Sequence, residues 1–342
     1  MSGKKSRKRI NVRMEDIAQE VGVSRVTVSI VLNNKGPEFR ISERVQAEVW
    51  EAAQRLGYRP NVLARRLRSA DSNTLFIALA TARQSPLTIM SSVYTGADLY
   101  VDDSPVPIQL TVESFSQGQL KDLPGLLDGS RFNGAIIANS APEDDTFLED
   151  HNLAVPVVVF NRHLETCNYI DATNRESGRI AAKLLLQQDR RHICILHSAK
   201  LTQSTNDRRL GFTEVLEEAG FPPPIAIVGD TFSERGGYEG MAAFLEEGRP
   251  CDAIFAVGDY MALGAMYCLR QAGRCVPDDV AVVGHDDVDM AGFANPSLTT
   301  LHLPLQKMAQ DAASILVQIL TREMKGPVQR TYETYLVKRE SA

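Results

Sequence analysis

Two groups of residues in this 342-residue chain have side chains whose types and spacing can do chemistry. The first is SRVTVSIVLN, Ser24 to Asn33, which contains no acidic residue. Arg25 is its only long donor, and a two-point contact to guanine is the commonest specific pairing for arginine in the major groove. Val26 and Ile30 offer only apolar contact, suited to thymine methyls or groove walls. Ser24, Thr27, Ser29 and Asn33 carry the short polar groups that hold phosphates. A solvated cation on a surface helix is the bland alternative for Arg25. The second group stands just beyond long apolar runs: Asn161 after VPVVVF, Asp286 after DVAVVGH, and Asp259 after DAIFAVG. In open α/β sheets, small ligands bind off the carboxyl ends of such strands. Asp259 reads as a helix cap, leaving Asn161 and Asp286 as ligand candidates.

Catalytic chemistry is harder to assemble. His163, His192, His197, His285 and His302 are near no serine or cysteine nucleophile motif and have no metal-ligand spacing, and no glycine-rich phosphate loop follows the first apolar run. Cys167, Cys194, Cys251, Cys268 and Cys275 are odd in number, scattered and without a C-x-x-C pair, so they read as reduced and mostly buried. No enzyme activity, cofactor or metal is expected.

The elements that must position these groups are legible in the hydrophobic pattern. MEDIAQEVG places Ile17, Ala18 and Val21 on one helical face, SRVTVSIVLN starts at the N-cap residue Ser24, and SERVQAEVWEAAQRLGY runs from Ser42 toward Gly57. Two short helices joined by a tight Gly22-Val23 turn form a helix-turn-helix. From Thr74 the texture changes to eight apolar runs, TLFIALA, PIQLTV, GAIIAN, VPVVVFN, HICILH, PIAIVG, DAIFAV and DVAVVGH, alternating with helical patterns. Continuous apolar runs between helices predict parallel sheets covered on both faces, and eight units fit two α/β halves.

Charge follows the same division. The net of −6 combines +8 over residues 1–69 with −14 over residues 70–342. The basic segment suits a polyanion, and the acidic remainder is repelled from one. No apolar stretch reaches the roughly 18 to 20 residues a membrane helix needs, and MSGKKSRKRINVR lacks a signal-peptide core. A cytoplasmic protein without a membrane partner is expected.

M-x-D-I-A-x-x-V-G-V-S-x-x-T-V-S-x-V-L-N from Met14 to Asn33, with Ile41-Ser42 and L-G-Y-R-P-N from Leu56 to Asn61, closely resembles the DNA-binding domain of the LacI/GalR (lactose-repressor) family of bacterial transcription regulators. The resemblance implies that Arg25, Val26 and Ile30 face bases, and that Ser24, Thr27, Ser29, Asn33, Ser42, Tyr58 and Asn61 touch the DNA backbone. It makes PNVLARRLRS, residues 60–69, a hinge helix that forms when two copies pair on DNA. There Leu67 is the minor-groove wedge and Ala64 packs on its symmetry mate. ALGAMYCLRQAGRCVPDDVAVVGHDDVDMAGFANPSLTTLHLP, from Ala262, resembles the family's two-lobed periplasmic-binding-protein-like core. By that resemblance Arg208 and Asp286 bind effector, Asn161 stands where an Asp is common, and Gly258 replaces a polar contact used by some relatives.

The expected organisation is a small all-α DNA-binding domain over residues 1–59, a hinge over 60–69, and an α/β core over 70–342. Lobe one is expected at 71–172 and 304–328, and lobe two at 173–303 and 329–342. The expected function is effector-controlled transcriptional regulation, with repression the family habit. The partners would be a near-palindromic double-stranded operator, a small polar carbohydrate-like effector and a second copy of the chain. The alternative is an enzyme or a sugar-binding protein using the same core.

Overall fold

The computed structural model describes residues 12, 14–32, 35–56, 58, 74–83, 85 and 87–342. The first three helices are α1 (Met14–Val21), α2 (Arg25–Leu32) and α3 (Glu43–Leu56). Their apolar stripes meet in one small core of Ile17, Ala18, Val28, Val31, Leu32, Val49, Ala52 and Ala53. Gly22 makes the turn between α1 and α2 at φ +75°, a conformation that glycine enters without steric cost.

The remainder is two six-stranded sheets. Sheet one comprises β1 (Leu75–Ala82), β2 (Ile108–Phe115), β3 (Gly134–Ala138), β4 (Val157–Phe160), β5 (Asn168–Ala172) and β11 (Gln329–Tyr332), in the spatial order β11-β5-β4-β3-β1-β2. Sheet two comprises β6 (Ile193–Ser198), β7 (Ile225–Gly229), β8 (Ala253–Ala256), β9 (Ala281–Asp286), β10 (Thr299–His302) and β12 (Tyr335–Val337), in the order β12-β10-β9-β8-β6-β7. Every pairing is parallel except β10 with β12. Central strands such as β3, β4 and β8 are buried throughout, because helices cover both faces.

The covering helices are α4 (Leu87–Asp103), α5 (Pro142–Asp150) and α11 (Leu305–Leu320) in lobe one. Lobe two has α6 (Asn174–Gln187), α7 (Gln203–Glu218), α8 (Glu234–Glu246), α9 (Asp259–Gln271) and the short α10 (Asp289–Phe293). Each sheet therefore has two core clusters, one per face.

Three expectations are corrected. Residues 329–332 do not belong with lobe two: β11 pairs with β5, from Gln329 beside Tyr169 to Tyr332 beside Ala172, so the last crossover between lobes falls after Tyr332. The rule that a helix follows every apolar run fails twice, since only a short turn at Leu120–Asp122 follows β2, and β4 runs through a loop to β5. Asp259 is not a cap: Gly258 holds the N-cap position of α9, and Asp259 is buried with its two oxygens accepting from Thr300 Oγ1 at 2.6 Å and the Val288 N–H at 2.9 Å. Burial pushes its carboxyl well above the usual range.

Candidate functional sites: a DNA-reading helix and an interlobe cleft

Helix α2 is held by its apolar side and offers the other to solvent. Val28, Val31 and Leu32 are buried, while Arg25 and Val26 project outward, Val26 with 66% of its surface exposed. Ser29 and Ile30 are half-buried beside them. Ser24 caps the helix, its Oγ accepting the Thr27 N–H at 3.0 Å and lying 2.9 Å from Thr27 Oγ1. Arg25 is not alone: its Nε lies 2.9 Å from Glu15 Oε1 of α1, both largely exposed. Ser42 immediately precedes α3, with the Val45 N–H 3.5 Å from its Oγ, and Tyr58 packs half-buried against the domain core. Asn33, Asn61, Ala64 and Leu67 lie outside the described residues.

The second site is a cleft of about 340 Å³ lined by both lobes. Its polar groups come from the carboxyl ends of strands and the segments just after them. Asn139, Asn161 and Asp286 stand there at φ +58°, +53° and +109°. Such backbone conformations are costly for residues with a side chain and recur where a chain aims functional groups.

All three expected ligand residues line this cleft, and a hydrogen-bonded chain joins them. Arg208 projects from α7 and is 2% exposed; Asp286 is 4% exposed. Arg208 Nη1 donates to Asp286 Oδ1 at 3.1 Å and to the Val257 carbonyl at 2.8 Å, while its Nε donates to Asn174 Oδ1 at 2.9 Å. Asn174 Nδ2 in turn donates to Asn161 Oδ1 at 3.0 Å. Asn174 opens α6, so this amide links lobe two to lobe one where the chain first crosses. A guanidinium so enclosed is disfavoured by burial, which lowers the Arg208 pKa against the pull of Asp286.

Asp286 keeps one oxygen free. Its Oδ1 also meets His285 Nδ1 at 3.0 Å, whereas its Oδ2 is buried without a partner among the described atoms. His285 is fully buried, and burial together with the Arg208 charge pushes its pKa down to about 4. The neutral ring therefore donates Nδ1–H to the carboxylate and fixes its orientation.

Arg162, Phe232 and Asn174 escaped the sequence reading. Arg162 lines the cleft and is 1% exposed; its Nε donates to Ser140 Oγ at 3.1 Å, Asp145 lies 3.8 Å away, and both terminal nitrogens are buried without partners. Burial lowers its pKa, with Asp145 opposing. Phe232 stands three residues beyond β7, lines the cleft, and its ring occupies the space that any side chain at Gly258 would need. The rule that selected Asn161 and Asp286, a position just beyond a buried strand, extends to Arg162, the residue after Asn161, but not to Phe232, which stands three residues past the half-exposed β7.

A basic helix-turn-helix joined in one chain to a two-lobed α/β core with a polar cleft defines a ligand-sensing DNA-binding protein. Residues 13–61 match the family model "Bacterial regulatory proteins, lacI family", and residues 174–342 match the "Periplasmic binding protein-like domain". The chain is 31% identical over 337 residues to the HTH-type transcriptional regulator CelR of Thermobifida fusca, covering 96% of this chain and 97% of the relative. It is 28% identical over 334 residues to the HTH-type transcriptional repressor PurR of Yersinia pestis, covering 96% of each. Among solved structures, a CelR-cellobiose complex superposes with a TM-score of 0.70 at 29% identity over 97% of this chain and all of the other. A lac repressor dimer bound to operator and an anti-inducer shares the fold, at TM-score 0.70 and 24% identity over 97% of this chain and 99% of that one. The chain belongs to the LacI family of bacterial transcriptional regulators. It is a regulator and not an enzyme, and no helix among the described residues is long and apolar enough to cross a membrane.

Proposed function

We propose that the chain is a cytoplasmic repressor that binds a near-palindromic operator as a homodimer and changes its operator affinity when a small, sugar-like effector enters the cleft. The observation that carries this reading is the cleft itself: Asp286 and Arg162 line one cavity between two lobes, and each keeps buried side-chain atoms without partners, Asp286 Oδ2 and the Arg162 terminal nitrogens. Unpartnered buried polar atoms cost free energy that a hydroxylated ligand recovers, since the carboxylate accepts and the guanidinium donates. Arg25, Val26 and Ile30 read bases; Ser24, Thr27, Ser29, Asn33, Ser42, Tyr58 and Asn61 hold the backbone; Ala64 and Leu67 serve the hinge. Tyr238 and Tyr267, both exposed with ring centroids 5.8 Å apart, support pairing of two copies through lobe two. The effector acts by its differential affinity for two lobe arrangements.

Selection of bound duplexes from a random pool, with and without a panel of sugars, tests the proposal. A near-palindrome is expected to emerge, with binding that weakens steeply as salt rises. Enrichment of no duplex at moderate salt refutes it. Arg25→Ala is expected to relax base preference and cost about 1–3 kcal/mol at one position of each half-site. Glu15→Gln, which frees Arg25 from its exposed ion pair, is expected to tighten binding a few-fold at low salt, because such pairs are worth roughly 0–1 kcal/mol.

A further inference from the structure

The hydrogen bonds around Asn174 fix which way the amide of Asn161 points. Arg208 can only donate, so the amide oxygen of Asn174 must face it, and Asn174 Oδ1 accepts from Arg208 Nε at 2.9 Å. Asn174 Nδ2 then faces acceptors: the Ala172 carbonyl at 3.3 Å, Asp171 Oδ1 at 3.2 Å and Asn161 Oδ1 at 3.0 Å. Asn174 is buried, so water offers it no alternative arrangement. Asn161 therefore has its oxygen engaged and presents its Nδ2 hydrogens as the donors left over on a residue that lines the cleft. A cation on lobe two thus sets, through one intermediate amide, the hydrogen-bonding sense of a residue on lobe one.

The next residue in the chain is also a donor. Arg162 lines the same cleft; its Nε donates to Ser140 Oγ, while Nη1 and Nη2 are buried without partners among the described atoms. Asp145, 3.8 Å from that Nε, already accepts the Ser140 hydroxyl at 2.5 Å. Charge points the same way. Among the described residues that line the cleft, Arg208 and Asp286 pair at 3.1 Å, which leaves Arg162 and Lys200 against Asp230. A neutral hydroxyl satisfies such donors singly, whereas an anion with two or three oxygens accepts several bonds at once and offsets the surplus cation. Resting on the cleft being the effector site, we infer that the effector carries an oxyanion, a carboxylate or a phosphate, that docks on lobe one against Asn161 Nδ2 and the Arg162 guanidinium. Because Asn161 owes its donor sense to Arg208 of lobe two, this anion site is complete only while the lobes keep the present arrangement, and an acidic effector favours that arrangement.

The test is calorimetric titration of the full-length protein with glucose, glucuronate and glucose 6-phosphate, with the same three forms of galactose, and with inorganic phosphate. Each set varies only at carbon 6, so it shows whether an anion is preferred and which kind. In at least one set an acid is expected to bind roughly 10-fold or more tightly than its neutral parent. Asn161→Asp keeps the size, a side chain that tolerates the positive φ, and the oxygen facing Asn174, but replaces the donor by a negative charge. It is expected to bring that ratio to one or below, and Arg162→Gln, which removes the cation, is the second probe. Equal affinity for acid and parent in both sets, or a ratio unchanged in both folded variants, overturns the inference. Inorganic phosphate binding as tightly as the sugar phosphates marks an adventitious ion only and overturns it too. Neutral sugars that bind without any preference for the acids, and are lost in Asp286→Asn, overturn the oxyanion while the cleft reading stands. Failure of every compound to bind overturns both.

Discussion

Replacing Arg208 by methionine removes a buried cation while keeping most of its stem. Three hydrogen bonds at 2.8–3.1 Å are lost, orphaning the Val257 carbonyl and Asn174 Oδ1 and leaving Asp286 with only the His285 N–H. Since Arg208 and Asp286 are 2% and 4% exposed, water does not readily replace the guanidinium. Breaking a buried pair in this way costs about 3–5 kcal/mol, most of it the penalty of an uncompensated carboxylate. For a core of this size that corresponds to a melting temperature lower by roughly 6–20 °C. The carboxylate share is separable. Adding Asp286→Asn to Arg208→Met removes the orphaned charge, and asparagine tolerates the positive φ at this position. The double variant is expected to recover about 2 kcal/mol, so that the single changes are strongly non-additive. Urea titration followed by far-ultraviolet circular dichroism, with calorimetry to separate the core transition from that of the small helical domain, completes the cycle. A loss under about 1 kcal/mol in Arg208→Met, or costs that add in the double variant, refutes the account of Arg208 and Asp286 as a mutually dependent buried pair.

Protonation of His285 supplies a pH test. Its pKa is about 4 in the folded chain against an ordinary 6.5, so the unfolded chain binds this proton more tightly. The stabilisation is complete above pH 6.5 and is lost as pH falls toward 4, by about 3 kcal/mol in all. His285→Gln is expected to flatten the stability profile across that window; an unchanged slope between pH 6.5 and 4 counts against the assignment. Two glycine substitutions should differ sharply. In Gly178→Ala the new methyl meets the backbone oxygen of Arg208 where α6 and α7 cross, which cannot yield, so a loss of about 3 kcal/mol or more and weakened ligand binding are expected. In Gly258→Ala it meets only the far edge of the Phe232 ring, which can turn. The core should stay within about 1 kcal/mol of wild type while ligand affinity changes. Equal thermal penalties for the two would contradict this.

Local pattern was enough for the three N-terminal helices, because each buries a stripe at 3.6-residue spacing, and for the eight strands with apolar-rich runs, although β2 and β7, at the sheet edges, are partly exposed and not buried on both faces. The motif from Met14 to Asn33 was also enough to place Ser24 at a helix N-cap and Val28, Val31 and Leu32 inward, which leaves Arg25 and Val26 outward. Asp286 and Asn161 were legible because their positions beyond buried strands follow from chain order.

Four strands were not legible. β5 (NYIDA) and β10 (TTLH) interrupt their apolar residues with polar ones, β11 is short and largely exposed, and β12 is only three residues long. Pairing creates them: β5 and β10 lie beside the strands that precede them in the chain, whereas β11 lies beside β5, some 160 positions earlier, which is why residues 329–332 fall in lobe one. The same distance hid the chemistry of the cleft. That Asn174 ties Arg208 to Asn161, that Phe232 fills the space beside Gly258, and that Arg162 and Asp286 keep buried atoms without partners all depend on groups far apart in sequence. Periodicity records which side of an element faces a core; which distant side chain it meets there is set when the lobes pack.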